Sequence, residues 1–227
     1  MRQVFQFMLA LAPLWLAVAP VAHAQNAADP TVYVVRYIEV MPAAQEQAAG
    51  LIKKLADASR KEAGVVRFDV LQRAAPANQF ATFEVWKDQA SLDAHGAAHK
   101  QFLDAAQPLL IAPVDDRLCI AIDTAPPQAG GEGAIYAITH VDVAPPNRDA
   151  GIALLKSVAG PIRKENGNVA FDALQQSART NHFEVVEIWK DQKAEDAHEI
   201  EAATKDYRAK VQPLLGAHYD RRWYKSL

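Results

Sequence analysis

Two stretches of this chain pair a carboxylate with an imidazole across a tryptophan. Glu84, Trp86 and His95 lie in FEVWKDQASLDAH (83–95), and Glu187, Trp189 and His198 lie in VEIWKDQKAEDAH (186–198), at an offset of 103 residues. Histidine exchanges protons near neutral pH and a carboxylate can orient it, which is the composition of general acid–base chemistry. Tryptophan adds a flat apolar face for an aromatic ring. In an extended FATFEVWK, side chains alternate, so Phe80, Thr82, Glu84 and Trp86 share one face and Ala81, Phe83 and Val85 the other. The second stretch puts Phe183, Glu187 and Trp189 on the first face and Val186 and Ile188 on the opposite one. His95 and His198 each fall seven residues after an aspartate, Asp88 or Asp191, that suits a helix N-cap. Two turns into a helix, such an imidazole faces the sheet or the rim of a pocket between helix and sheet. The plainer alternatives are a glutamate hydrogen-bonded to a neighbouring element and a histidine bonded to backbone and packed on the tryptophan.

Other candidate chemistry is thinner. His95 and His99 form H-x-x-x-H, a metal-like spacing on one helix face. Gly96 weakens that helix, the second copy has Ala202 four residues after His198, and no cysteine or carboxylate cluster completes a ligand set. No metal site is expected. A nucleophile elbow, a P-loop and a G-x-G-x-x-G fingerprint are all missing from the sequence. The aromatics Tyr33, Tyr37, Phe68, Phe80 and Trp86 recur as Tyr136, His140, Phe171, Phe183 and Trp189, with His140 replacing Tyr37. They suit a core, or an aromatic-lined pocket for a flat ligand.

The elements that must position these residues are also written twice. RKEAG (60–64) answers RKENG (163–167), VRFDVLQ (66–72) answers VAFDALQ (169–175), and QPLL at Gln107 answers QPLL at Gln212 after a gain of two residues. A period this long means duplicated domains. Between them, DTAPPQAGGEG (123–133) reads as a linker. The expected units are 31–123 and 134–227, joined by 124–133. TVYVVRYIEV and AIYAITHVDV are apolar at nearly every position, as in strands covered on both faces. Leu51, Ile52 and Leu55, echoed by Leu154, Leu155 and Val158, mark a helix after each. Gly64 and Gly167 read as C′ glycines, and Gly160-Pro161 predicts a kink or early break in the second copy. Strands near 65–74 and 79–87, and near 168–177 and 182–190, form hairpins. One or two short helices and a last strand, near 114–122 and 217–225, complete β-α-β-β-α-β, the ferredoxin-like unit of an α+β fold. A unit of roughly 90 residues is marginal alone, and a sheet apolar on both faces needs a partner sheet. The two copies can supply it within one chain as a pseudo-twofold pair.

Residues 1–24 open with Arg2, continue as an apolar run broken by Pro13 and Pro20, and end in Ala22-His23-Ala24. That is the pattern of a cleaved signal peptide, so a periplasmic or secreted protein without stable membrane insertion is expected. Removing Arg2 with the leader leaves 23 Lys and Arg against 27 Asp and Glu, which excludes the basic stripe of a nucleic-acid surface. The single Cys119, in LCIAI, reads as a small buried hydrophobe.

Both copies resemble the antibiotic biosynthesis monooxygenase (ABM) domain. The resemblance rests on E-x-W-x-D-x-x-x-x-x-A-H following a strand that carries F-D, and it spans nearly all of the chain after the leader. It implies a dimeric α+β barrel, here built within one chain from two ferredoxin-like units. It implies oxygen insertion into quinols or polycyclic phenols with O2 and no metal, flavin or haem. His95 and His198 would then be the base or an orienting group, with Glu84 and Glu187 positioning the histidine or a substrate hydroxyl. Trp86, Trp189, Tyr33, Tyr136, Tyr37, His140, Phe68 and Phe171 would line the place for the aromatic substrate. Haem-degrading relatives carry an asparagine on the first strand, where Arg36 and Thr139 stand here, and a later helix histidine that only His99 could match, so haem degradation is not expected. The competing reading is a non-catalytic aromatic-binding or stress-response barrel. Such chains could associate further into a homo-oligomer.

Overall fold

In the computed structural model, which describes residues 29–227, the apolar run after the leader becomes β1 (Val32–Glu39), buried on both faces. The expected signal peptide lies outside the described residues. A 3-10 turn at Pro42–Ala44 leads into α1 (Gln45–Ser59), which lays Ala48, Ile52, Leu55 and Ala56 on the sheet. The hairpin β2 (Val65–Arg73) and β3 (Gln79–Trp86) follows. At Asp88 the carboxylate accepts the Ser91 N–H at 2.8 Å and starts α2 (Gln89–Ala106), and β4 (Asp115–Asp123) ends the half.

The second half repeats this order as β5 (Ile135–Asp142), α3 (Arg148–Ile162), β6 (Asn168–Gln176) and β7 (His182–Trp189). Asp191 caps α4 (Gln192–Ile200) through the Ala194 N–H at 2.8 Å. Here the single helix of the first half is split. Glu201 takes an extended conformation, α5 (Ala202–Val211) begins beyond it, and the two added residues are absorbed before β8 (Asp220–Ser226).

All eight strands pair antiparallel in one closed barrel, ordered β1-β3-β2-β8-β5-β7-β6-β4 and back to β1. Each closing strand serves both halves. β4 pairs with β1 and with β6, and β8 pairs with β5 and with β2. The strands have apolar residues on both faces because both are covered. Tyr33, Val35, Phe83 and Val85 point inside the barrel against Tyr136, Ile138, Val186 and Ile188. Outside, α1 and α2 cover Val34, Ile38, Phe68, Val70 and Trp86, while α3, α4 and α5 cover Val141, Phe171, Val185 and Trp189. Each fully buried Phe, such as Phe83, contributes about 1.5–3 kcal/mol by leaving water. Cys119 is one of these buried interior residues, and burial raises its thiol pKa. Among the described residues no helix is long and apolar enough to cross a membrane.

Two local expectations are corrected. α3 runs through Pro161 to Ile162, because the proline falls in the last turn, where only the Ser157 carbonyl, near the exposed end of the helix, loses its partner. Gly64 and Gly167 are not C′ residues. Each α-helix ends at Ser59 or Ile162, further turns intervene, and the glycines close the approach to β2 and β6 at φ of +87° and +89°.

At Gly167 a Cβ would stand 2.5 Å from the Ala194 Cβ as well as in a left-handed conformation. Gly167→Ala should therefore destabilise the protein by at least about 1–2 kcal/mol in urea unfolding. A variant as stable as the parent would contradict this turn geometry.

Candidate active site

The period of the strand sets the first site. Thr82, Glu84 and Trp86 all point from β3 toward the helices, into a layer with almost no water. A carboxylate there must be paired or it neutralises. Glu84 accepts hydrogen bonds from Thr82 Oγ1 at 2.9 Å and Trp86 Nε1 at 3.0 Å, and it pairs with the buried guanidinium of Arg36 on β1. Arg36 also meets Asp116 of β4 at 2.8 Å. Above this network the His95 ring, 1% exposed, lies on Trp86 with centroids 4.8 Å apart. Its Nδ1 contacts both oxygens of Glu62 at 3.1 Å. The ring's Nε2 is buried and has no hydrogen-bond partner. An imidazole whose Nδ1–H is held by a carboxylate offers its lone pair at Nε2, the arrangement of an oriented general base.

The second site starts from the same strand positions and ends differently. Glu187 accepts from Trp189 Nε1 at 3.0 Å, but its guanidinium comes from Arg221 on β8, at 2.6 Å. The two halves have exchanged partners across strands. Where the first half has Arg36, the second has Thr139, which accepts from Arg221 at 3.2 Å. Where the second has Arg221, the first has Asp116. Arg221 further meets Glu195 at 3.3 Å and Glu199 at 3.0 Å. His198, 2% exposed, stacks on Trp189 at 4.5 Å. Its Nδ1 meets Glu165 at 2.8 Å and Thr204 Oγ1 at 3.1 Å, while its Nε2 faces Glu187 at 3.3 Å. Neither nitrogen is free to reach a substrate unless an existing contact breaks. The cavity beside it, lined by Phe171, Glu187, His198, Tyr207 and Arg221, holds about 10 Å³, room for about one water.

Of the residues expected from sequence, the structure brings together Glu84, Trp86, His95 and Phe68, and separately Glu187, Trp189, His198 and Phe171. Phe68 meets His95 edge-on at 6.0 Å. Tyr33, Tyr37, Tyr136 and His140 are not with them, because Tyr33 pairs across from Val85 and shares its inward face. Inside the barrel, the Tyr33 hydroxyl donates to Thr124 and the Tyr136 hydroxyl accepts from the Gly130 N–H. Tyr37 and His140 both bond Glu184 at 2.9 Å. The expected single pocket of tryptophan and tyrosines is thus divided by the sheet itself. His95 and His99 do not converge on a common point; the His99 ring lies tilted beside His95 with centroids 6.1 Å apart and turns toward Asp116 at 3.4 Å. Glu62 and Glu165, which hold the two imidazoles, were missed by the sequence reading. They stand in RKEAG and RKENG, so a role for them was open to inference from the repeat.

The family profile described as Antibiotic biosynthesis monooxygenase matches residues 31–107 and again 134–210, and the chain belongs to that family. A curated relative from Bacillus subtilis (strain 168), "Putative monooxygenase YcnE", is 35% identical over 81 residues, covering 35% of this chain and 85% of its own. Among solved structures, a "putative monooxygenase" of Fusobacterium nucleatum aligns with a TM-score of 0.75 at 17% identity, over 87% of this chain and 92% of that one. Another from Lactobacillus acidophilus NCFM aligns at 0.71 and 12%, over 87% and 94%. A third, an anthrone oxidase-like protein, aligns at 0.68 and 15%, over 88% and 92%. These three show a shared fold. The first two cover nearly the whole of both chains, in keeping with two repeated units closed into one barrel.

Burial alone would raise the carboxyls of Glu187 and Glu184, but Arg221 overcomes it for the first, and His140 and Arg117 for the second. Both end below the ordinary value of 4.5. The stability they add is complete above that value and is lost as pH falls through the lower, folded value. These two groups therefore leave the melting temperature unchanged above about pH 5 and lower it below. Glu187→Gln should cost about 3 kcal/mol at neutral pH, by stranding part of the Arg221 charge, and should flatten the acid fall. Melts from pH 7 to pH 3 that are unchanged by the substitution would contradict the pairing.

Proposed function

We propose that this member of the ABM family oxygenates quinols or phenolic, polycyclic aromatics with O2, needing no prosthetic group, and that the first half carries the reaction. The observation that carries the reading is the unpartnered, buried Nε2 of His95, with Glu62 fixing the opposite nitrogen and Trp86 stacked beneath. A phenol placed against Nε2 gives up its proton there. The phenolate then passes one electron to O2, and the aryloxyl radical and superoxide combine at a ring carbon. The resulting peroxide anion takes the proton back from His95. Loss of water from that hydroperoxide and the carbon's hydrogen leaves a carbonyl. One oxygen atom enters the product, the other leaves as water, and all four electrons come from the substrate. The protein binds, deprotonates and excludes water.

An apolar cleft of about 220 Å³ between α1 and α2 is lined by Leu51, Leu55, Ala98 and Phe102. The Phe102 ring stacks on His99 at 6.2 Å, and the His99 ring lies tilted beside His95. A planar ring in this cleft lies against Phe102 and reaches the buried His95 once the side chains between them move. The family relationship and an anthrone oxidase-like fold neighbour are in keeping with that substrate class. The closed second site, with both imidazole nitrogens engaged, favours a structural role for His198.

Oxygen uptake by the purified protein with a panel of quinols, naphthols and anthrones tests the proposal. His95→Gln should lower turnover by at least about 100-fold, as loss of a general base does. His198→Gln should leave turnover within a few-fold while lowering the melting temperature. Uptake that is absent throughout the panel, or that depends on His198 rather than His95, would sink it.

A further inference from the structure

We propose that His140, Asp142 and His182 bind one divalent transition-metal ion of the zinc type, in the second half only. The cluster is made by strand register. β5 and β7 pair His140 with Glu184 and Asp142 with His182, bringing together residues about 40 positions apart. All three candidate ligands place a donor atom within 4.8 Å of the others, and their side chains are only partly covered, at 15–20% exposure.

The contacts within the cluster leave a place for a cation. Three contacts run in series: Asp142 Oδ1 to His182 Nε2 at 3.6 Å, His182 Nδ1 to His140 Nε2 at 3.3 Å, and His140 Nδ1 to Glu184 Oε1 at 2.9 Å. Two neutral imidazoles bring only two protons to these three contacts, so the third is filled either by a proton on one ring or by a metal ion. Glu184 takes the proton of His140 Nδ1, leaving Nε2 as a lone pair turned toward His182. Asp142 Oδ1 stands 3.6 Å from the far nitrogen of His182, too long for a good hydrogen bond, and must turn toward the gap between the two rings to ligate the same ion. Two nitrogens bound to a tetrahedral zinc at about 2.0–2.1 Å would themselves lie about 3.3 Å apart, and His140 and His182 already stand at 3.3 Å.

The outer shell is built as a metal site requires. Glu184 is wholly buried and is fixed by Tyr37 at 2.9 Å, Arg117 at 2.7 Å and Gln176 at 2.8 Å. A carboxylate on the far nitrogen of a ligating histidine sets its tautomer and orientation. Asn181 donates to Asp142 at 3.3 Å. Arg117, the nearest guanidinium to Glu184, is also taken by Asp115 at 2.7 Å. The first half is an internal control. At the matching positions it has Tyr37, Glu39, Gln79 and Ala81, all four changed together, while Asn78 and Phe80 between them match Asn181 and Phe183. Two imidazoles and a carboxylate suit a borderline ion such as Zn2+ rather than Mg2+ or Ca2+, which prefer oxygen alone. The site faces the barrel interior, on the opposite side of the sheet from His198, and takes no part in the oxygenation proposed above.

Calorimetric titration of the untagged, metal-stripped protein with Zn2+ should give one ion per chain, and Co2+ should give visible absorption bands of a nitrogen-ligated centre. Mg2+ should give neither. His182→Gln installs the residue of the first half, and Asp142→Asn removes the carboxylate. Each should weaken Zn2+ by more than the about 10–100-fold that loss of an outer-shell partner costs, while His218→Gln should change nothing. If His182→Gln does not fold, Asp142→Asn decides alone. Absence of micromolar Zn2+ binding, or binding unchanged in the folded variants, overturns the proposal. Turnover on quinols is a separate measurement, so either proposal can fail without the other.

Discussion

Closing eight strands into one barrel requires each half to lend its last strand to the other. Four antiparallel strands with apolar residues on both faces leave one face and two edges open, and neither is stable in water. β4 and β8 resolve both problems at once, each pairing on one side with its own half and on the other with the second strand of its neighbour. The interior then fills with Tyr33, Val35 and Phe83 from one half and Tyr136, Ile138 and Ile188 from the other. Tandem fusion makes the pairing independent of concentration, unlike an obligate dimer of single units.

The closing strands also differentiate the halves. Both sites begin from a glutamate buried under helices, which must find a cation. In the first half the cation is Arg36 on β1, and Asp116 on β4 completes the network. In the second it is Arg221 on β8, reaching past Thr139 on β5. Because Arg221 gathers Glu187, Glu195 and Glu199, the second site is denser in charge, and His198 faces a carboxylate at each nitrogen. His95 is held at one. A duplicated chain is free to diverge in this way, since one copy can keep the chemistry while the other carries the scaffold. The same freedom shows on the inner face, where Ala81 in one copy is Glu184 in the other.

Much of this was legible in the sequence. The repeat gave the element order, the alternation in FATFEVWK placed Glu84 and Trp86 on one face, and the spacing from Asp88 and Asp191 turned both imidazoles to the sheet or the rim of a pocket beside it. What could not be read was which face Tyr33 and Tyr37 share, because β1 is apolar on both sides and only its register with β3 decides. The exchange of Arg36 for Arg221 was hidden for a similar reason, as the two arginines occupy different strands and only pairing shows that they answer the same charge. The cluster of His140, Asp142 and His182 likewise exists only through the register of β5 with β7. Glu62 and Glu165 are the exception, since their repetition was visible and only their partner was not.

The closing strands leave the His95 Nε2 without a partner and set the His198 Nε2 against the Glu187 carboxylate at 3.3 Å. Long-range nitrogen–proton NMR of the imidazoles at neutral pH tests this difference directly. The account predicts His95 protonated at Nδ1 with a free, pyridine-type Nε2, and a different pattern for His198, with both nitrogens engaged. A proton on His95 Nε2, or identical spectra for the two rings, would contradict it.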